Sequence, residues 1–495
     1  MTSRHSIPAH TPSTRAATRL AAVTLLTLAA GPALAHTLPS IHHDPIAPVI
    51  LGVTGILFFA VIGRFTARKL RLPSVLGELI MGVILGNLAY YFGLDLLLVL
   101  REGPAIFELE KHVIAGDALN MAAFSTLGSD AAPRVLQVLQ GRHGSEILQV
   151  AHTVDVFSRY GVIFMLFLVG LDTSVDEMRR VGADSARVAV IGVALPFAFG
   201  FLAARAFLPE ASLNTDLFIA ATLGATSVGI TARVLQDLHR EQSREAHVIL
   251  GAAIMDDVLG LLMLAVVTGI IVSGGVDLTN VISVVVLSIV FLGGVLFLGP
   301  YFLNLVIRLF CQLDLIEAKM FTSYLFVMII AWLANLVGLA TIIGAFAAGL
   351  ILNDTFFERC GVSRDDYGLS IKNLIMPLEV ILVPIFFILM GIQVKLEAFA
   401  DTHVLILAGG LLLAAVAGKL ASGLGANRNT NRLAVGLGMT PRGEVGLIFA
   451  AIGKSLGVIT DALFSAIVLM VIVTTLLSPP LLKLVLERNA PRGEN

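Results

Sequence analysis

Charge is what this chain has least of. Only 14% of its 495 residues are Asp, Glu, Lys or Arg, against about a quarter in a typical soluble domain. Hydrophobic residues make up 57%, and the mean hydropathy is +0.91. Those values exclude a soluble globular domain. Apolar runs of about 17 to 25 residues, long enough to cross a bilayer as helices, recur with only short polar gaps. An excess of one sign is also missing. A net charge of -2 and a pI near 6.6 give no basis for a nucleic-acid partner. Two cysteines, Cys311 and Cys360, are too few for a disulfide framework, and both fall in loops assigned below to a reducing cytoplasm. Nothing in the composition implies a bound cofactor.

The lipid bilayer is therefore the first partner, and the chain is read as an all-α polytopic membrane protein. Residues 1–35 hold Arg4, Arg15 and Arg19, an apolar run from Leu20 to Ala30, and Ala33-Leu34-Ala35 before a cleavage point. This order is that of a signal peptide, so the mature chain is expected to begin outside at His36. Thirteen candidate spans follow, in one membrane domain over 46–486. A long extracytoplasmic loop is expected over 93–153 and a short cytoplasmic tail over 487–495. Lys and Arg should crowd the cytoplasmic loops. Arg64, Arg68, Lys69, Arg71, Arg179, Arg180, Arg187, Arg308, Lys319, Arg428 and Arg432 all fall in predicted inside segments, whereas the short outside loops hold chiefly Arg205, Lys395 and Lys454.

Two spans are interrupted by small and helix-breaking residues. Span five (217–235) contains Thr222-Leu223-Gly224-Ala225-Thr226-Ser227-Val228-Gly229-Ile230-Thr231, and span twelve (433–452) contains Gly436-Leu437-Gly438-Met439-Thr440-Pro441-Arg442-Gly443. They lie seven spans apart, and an odd offset runs them in opposite directions, as an inverted repeat requires. Interrupted helices in corresponding positions of inverted halves point to a transporter's ion site, because unwound backbone groups can line a cavity there.

Asp256 and Asp257 stand near the middle of span six (248–272). A charge at midbilayer costs several kcal/mol even on the milder insertion scales, so such residues face water or a partner and mark function. Neighbouring helix positions differ by about 100°, which lets one carboxylate bind while the other pairs. Lys419, well inside span eleven (404–424), is the natural counter-ion. Arg442 and Glu444, inside the second break, either neutralise each other or take part in the site. Thr226 and Ser227, with Thr231 and Thr440 in the same two breaks, offer hydroxyl and carbonyl oxygens. Such oxygens beside a carboxylate suit both a proton and a hard monovalent cation. Competition for one site is the simplest antiport mechanism. Glu78 and Glu379 are read as lying at the membrane interface, and His36, His42, His43 and Asp44 as a solvated tail.

Taken in order, Gly77-Glu78, Gly170-Leu171, Ala225 to Thr231, Asp256-Asp257, Gly344-Ala345-Phe346, Pro384 to Phe387, Gly391, Lys419 and Pro441 to Glu444 resemble the monovalent cation:proton antiporter-2 family, in its sodium/proton exchanger branch. The resemblance covers about Pro48 to Leu486 apart from the long loop. It implies about thirteen transmembrane helices in inverted repeats with two crossed discontinuous helices, a homodimer in a bacterial inner membrane, and an elevator motion. It implies that Asp257 is the main ligand for proton and monovalent cation, Asp256 the second acid, and Lys419 its ion-pair partner. The two-acid form resembles exchangers that move more protons than cations. Electrogenic Na+/H+ exchange is thus the first expectation, with Li+ as a second cation and K+/H+ exchange as the alternative. The loop over 93–153 departs from the pattern. No appended nucleotide-binding domain follows the spans, so cytoplasmic nucleotide control is not expected.

Two rivals come from other classes. An intramembrane aspartyl protease also uses two membrane aspartates, but they must converge on one water from separate elements. A passive cation channel would not need an acid poised to exchange a proton.

Overall fold

The computed structural model describes residues 44, 46–70, 72–172, 182–226, 231, 235, 240, 243–272, 278–310, 313–360, 370–442 and 444–488. The expected signal peptide, His36, His42, His43, Ser227, Cys311 and the tail beyond 488 lie outside them. The chain divides into compact units 1–50 and 51–495, and the architecture below is that of the second.

Among the described residues all regular structure is helical. Ten helices are long and apolar enough to cross a membrane, by length and composition. The three expected spans not among them are the two interrupted ones and span nine. In chain order the helices are α1 (Ala47–Lys69), α2 (Ser74–Phe92), α3 (Asp95–Glu102), α4 (Ala105–Ile114), α5 (Leu119–Leu139), α6 (Gly144–Asp172), α7 (Ala183–Phe207), α8 (Leu213–Thr222) and α9 (Arg244–Val272). Then follow α10 (Leu278–Phe310), α11 (Leu315–Leu336), α12 (Thr341–Ile351), α13 (Ile371–Ile392), α14 (Thr402–Ser422), α15 (Arg432–Gly438), α16 (Glu444–Ser455) and α17 (Asp461–Arg488).

Span five begins as the half-helix α8, started by the Ser212 hydroxyl, which accepts from the Thr215 amide, and Thr231 and Leu235 beyond the break are helical again. Span twelve splits into α15 and α16. Pro441 accounts for that split, since it has no N–H to donate and pushes Thr440 away from the α region. Asn431 starts α15 by accepting from the Ala434 amide at 3.1 Å, a side-chain cap worth about 1 kcal/mol.

Two groups of helices pack largely among themselves. One joins α2, α6 and α10 to α13 around large side chains such as Phe164, Phe167, Phe326, Ile330 and Phe357. The other joins α7, α8, α9 and α14 to α17 around smaller ones, including Ala189, Ala252, Ala253 and Val435. Small residues let backbones approach closely in membrane helices. At the α2–α13 crossing Gly82 meets Gly391, and a Cβ on either would stand 2.9 or 2.8 Å from the other's Cα. Phe386 and Phe387 on α13 are both buried, so packing rather than lipid is their setting.

The segment expected as a long loop carries α3, α4, α5 and the first turns of α6. It is tied to the bundle by charge. Lys395 Nζ lies 2.7 Å from both Glu102 on α3 and Asp461 on α17, and Lys454 Nζ lies 2.9 Å from Asp461. Arg101 pairs with Glu397 and donates to Asn87 at 3.1 Å. Arg205 pairs with Asp216 at 2.8 Å. The three basic residues that the positive-inside pattern left on the outer side therefore each meet an acid.

Glu78, expected at the membrane interface, packs inside the helix bundle. It is fully buried, and Arg64 on α1 donates to it at 2.6 Å. The sequence places Arg64 in a cytoplasmic loop, but α1 continues to Lys69, which carries the guanidinium into the bundle beside α2.

Overpacking a closed backbone contact costs about 1 to 3 kcal/mol. Gly391→Val is expected to lower the unfolding midpoint of the detergent-solubilised protein, measured by a thermal melt. Gly409→Val, at a site with open space around it, should leave the midpoint near wild type.

Candidate functional site

The site forms where α7, α9 and α14 meet the two broken helices. Gly418 on α14 rides against Pro196 on α7, where a Cβ would stand 2.7 Å from the proline Cα. This close approach sets the next residue, Lys419, against α9. Its ammonium donates to both oxygens of Asp256, at 2.8 and 3.0 Å, and both side chains have 0% exposure. Gly192 on α7 closes the pocket around the pair. A Cβ there would lie 3.6 Å from Asp256 Oδ1, 3.7 Å from Lys419 Nζ and 3.3 Å from the Ser422 Cβ. Ser422 in turn donates to the Lys419 carbonyl at 2.6 Å.

Asp257, one position along α9, points differently. It is partly exposed where Asp256 is fully buried, and its charge still acts on Lys419. The two aspartates thus have separate environments within one helical turn, the division expected from a 100° step.

The two breaks are stitched together. Thr226 donates to the Met439 carbonyl at 3.3 Å and Thr231 to the Gly438 carbonyl at 2.6 Å. Arg442 reaches back across the crossing and donates through Nη1 to the carbonyls of Ala225, at 2.7 Å, and Thr222, at 3.4 Å. Those carbonyls lie at the C-terminal end of α8, where unpaired C=O groups and the helix dipole leave partial negative charge. Through Nη1 the fully buried guanidinium finds partners there, whereas its Nε and Nη2 have none among the described residues. Its charge also acts on Asp256. Thr475 on α17 donates to the Arg442 carbonyl. Thr440 turns to its own half-helix and donates to Gly436 at 2.8 Å. Ser227 and the side chain of Glu444 lie outside what the structure describes.

The arrangement therefore brings together Asp256, Lys419, Arg442, Thr226, Thr231 and Thr440. It offers one carboxylate locked to a lysine, one beside it that is partly exposed, and carbonyl oxygens from unwound backbone. A cavity of about 430 Å³ lies toward the ends of α6, α9, α13 and α16 and includes Asp155, Thr268, Gln393 and Ile448 in its walls. Thr268 is eleven residues, about 16 Å along the helix axis, from Asp257. Asp155 at this cavity pairs with Arg159 at 2.6 Å. Neither residue stood out in the sequence, because both lie outside the expected spans or at the end of one.

Between residues 55 and 488 the chain matches a family model described as sodium/hydrogen exchanger, transmembrane. It is similar to the high-affinity Na(+)/H(+) antiporter NhaS3 of Synechocystis sp., at 35% identity over 454 residues, covering 89% of this chain and 90% of that protein. It is also similar to the Na(+)/H(+)-K(+) antiporter GerN of Bacillus cereus, at 32% identity over 332 residues, covering 66% of this chain and 81% of GerN. Among solved structures, the sodium proton antiporter MjNhaP1 from Methanocaldococcus jannaschii at pH 8 shares the fold. Its TM-score is 0.58 at 18% identity, over 89% of this chain and 98% of that one.

Removing one partner of a buried ion pair costs about 3 to 5 kcal/mol, because the other charge is left uncompensated. Lys419→Met alone should therefore lower thermal stability sharply, and adding Asp256→Asn should restore most of the loss. Thermal melts of the two single variants and the double variant give this coupling directly. Additive losses would show that the pair does not hold the site together.

Proposed function

Because the chain belongs to the sodium/hydrogen exchanger family, we propose that it exchanges Na+ for H+ across a bacterial inner membrane, with Asp257 as the group that alternately holds the proton and the cation. The observation that carries this reading is the different fate of two adjacent aspartates. Asp256 is occupied by Lys419 in a fully buried pair, which leaves Asp257, partly exposed, as the carboxylate able to change partners.

A hard cation at Asp257 can complete its shell with oxygens from the break at Thr226 and with water. A proton neutralises the same carboxylate. Since one group cannot hold both, each turnover carries one or the other, and the gradient of one drives the other. Asp256 supplies the second acid. When Lys419 exchanges its salt bridge for a proton on Asp256, more protons than cations move in a cycle and the exchange is electrogenic. The two helix groups support an elevator movement, in which α7 to α9 and α14 to α17 carry the site past α2, α6 and α10 to α13 within a homodimer. The inner-membrane orientation, with the C-terminus in the cytoplasm, rests on the distribution of Lys and Arg among the loops. The same geometry argues against a protease dyad, because Asp256 is turned onto Lys419 rather than toward a water shared with Asp257.

Sodium is the first cation because NhaS3 and GerN are both named for Na+. GerN is named for K+ as well, so K+ is the second reading. Proteoliposomes holding the purified chain are expected to acidify or alkalinise when a Na+ gradient is imposed. Activity with Na+ is expected to exceed that with Li+ and K+. The Asp257→Asn variant should lose the response entirely. Unchanged proton movement in that variant would remove Asp257 from the mechanism, and cation flux without any proton movement would identify a channel.

A further inference from the structure

A second cavity lies away from the exchange site. It has a volume of about 570 Å³ and opens where α2 ends, between the start of α3, the last turns of α5 and the turn into α6. That volume is within the range of ligand pockets. None of its residues takes part in the cation site.

Its polar wall is basic. Arg134 holds its guanidinium 4.2 Å from the centre of the Tyr90 ring, which also carries Arg101 at 4.5 Å. Arg101 is neutralised by Glu397. Arg134 and Arg142 form no ion pair among the described residues, and both are exposed. His143 at the rim is taken by Glu146 at 3.1 Å. Asp95 is the one acid in the wall, so two open guanidiniums face a single carboxylate.

Its mouth is apolar in a directed way. Ile84, Leu88, Tyr91 and Phe92 are 46%, 43%, 81% and 75% exposed. Their spacing of four, seven and eight residues puts them on one face of α2. The stripe ends in Tyr91 and Phe92, which line the cavity, and tyrosine is a residue type enriched where membranes meet water.

We propose that this cavity binds the phosphodiester headgroup of a glycerophospholipid, with Arg134 and Arg142 on the phosphate oxygens and the acyl chains along the α2 stripe. A guanidinium matches phosphate through paired, charge-assisted hydrogen bonds. Asp95 then faces the substituent on the phosphate, which suits an ethanolamine ammonium. Bound there, the lipid fastens the α3–α5 segment to the end of α2. This gives that segment a role that the cation site does not.

The test uses the purified full-length protein and native mass spectrometry, with phosphatidylethanolamine, phosphatidylglycerol, diacylglycerol and inorganic phosphate as separate probes. Phospholipid should stay bound to the wild type, whereas diacylglycerol should be lost. Millimolar inorganic phosphate should not displace the lipid. Arg134→Gln and Arg142→Gln should each weaken retention about tenfold, the scale of one lost charged contact. Arg142 lies on an exposed turn, so its variant should melt at the wild-type temperature and report on binding alone. Equal retention by both variants, or of diacylglycerol, would overturn the proposal. Displacement by inorganic phosphate would overturn the lipid assignment in favour of a soluble anion. A loss of dimer mass in the variants with lipid unchanged would also overturn it, by giving the face to a second copy of the chain.

Discussion

A lysine ammonium held between both oxygens of a carboxylate, with neither group exposed, is the constraint around which this half of the molecule is built. Lys419 and Asp256 stand on different helices, and neither tolerates the apolar interior alone. Their contact requires α7 and α14 to approach closely, which Gly418 and Pro196 permit. It also requires an empty wall, which Gly192 supplies. The same demand extends outward. The break in span twelve is held by a buried arginine, which donates through Nη1 to the backbone end of the other broken helix. Because each charge fixes the next, the two interrupted helices cross at one place.

The chemistry follows from what the pair leaves over. Two adjacent aspartates would repel each other if they shared an environment. Turned about 100° apart on α9, one is held by the lysine until a proton takes that lysine's place, and the other stays partly exposed. Exchange requires a carboxylate whose partner can change, and the lysine secures that role for Asp257 by occupying its neighbour.

Much of this was legible in the sequence, for physical reasons that can be named. Long apolar runs give helices because no other single segment satisfies its backbone in lipid, so the expected spans correspond to helices or half-helices. Pro441 and the surrounding glycines marked one break before any coordinates. Asp256, Asp257 and Lys419 stood out because charge is rare in such runs. What stayed hidden depended on contacts between distant segments. Glu78 looked interfacial because nothing local shows that Arg64, fourteen residues earlier, folds in beside it. Glu102 lies 293 positions from Lys395, and Lys395 and Asp461 sit at the ends of spans where a charge is unremarkable. The segment over 93–153 carries helices that are either short or, like the 21-residue α5, too polar for a span, so no long apolar run marks it.

The account stands or falls on competition between proton and cation at Asp257. The direct measurement is the apparent Na+ affinity of the reconstituted protein across a pH series, read from transport currents on a solid-supported membrane. Competition at one carboxylate predicts that the half-saturating Na+ concentration rises about tenfold per unit fall in pH on the acid side, and that the currents vanish in Asp257→Asn. A half-saturating concentration independent of pH would show that the two ions do not share a site and would contradict the account.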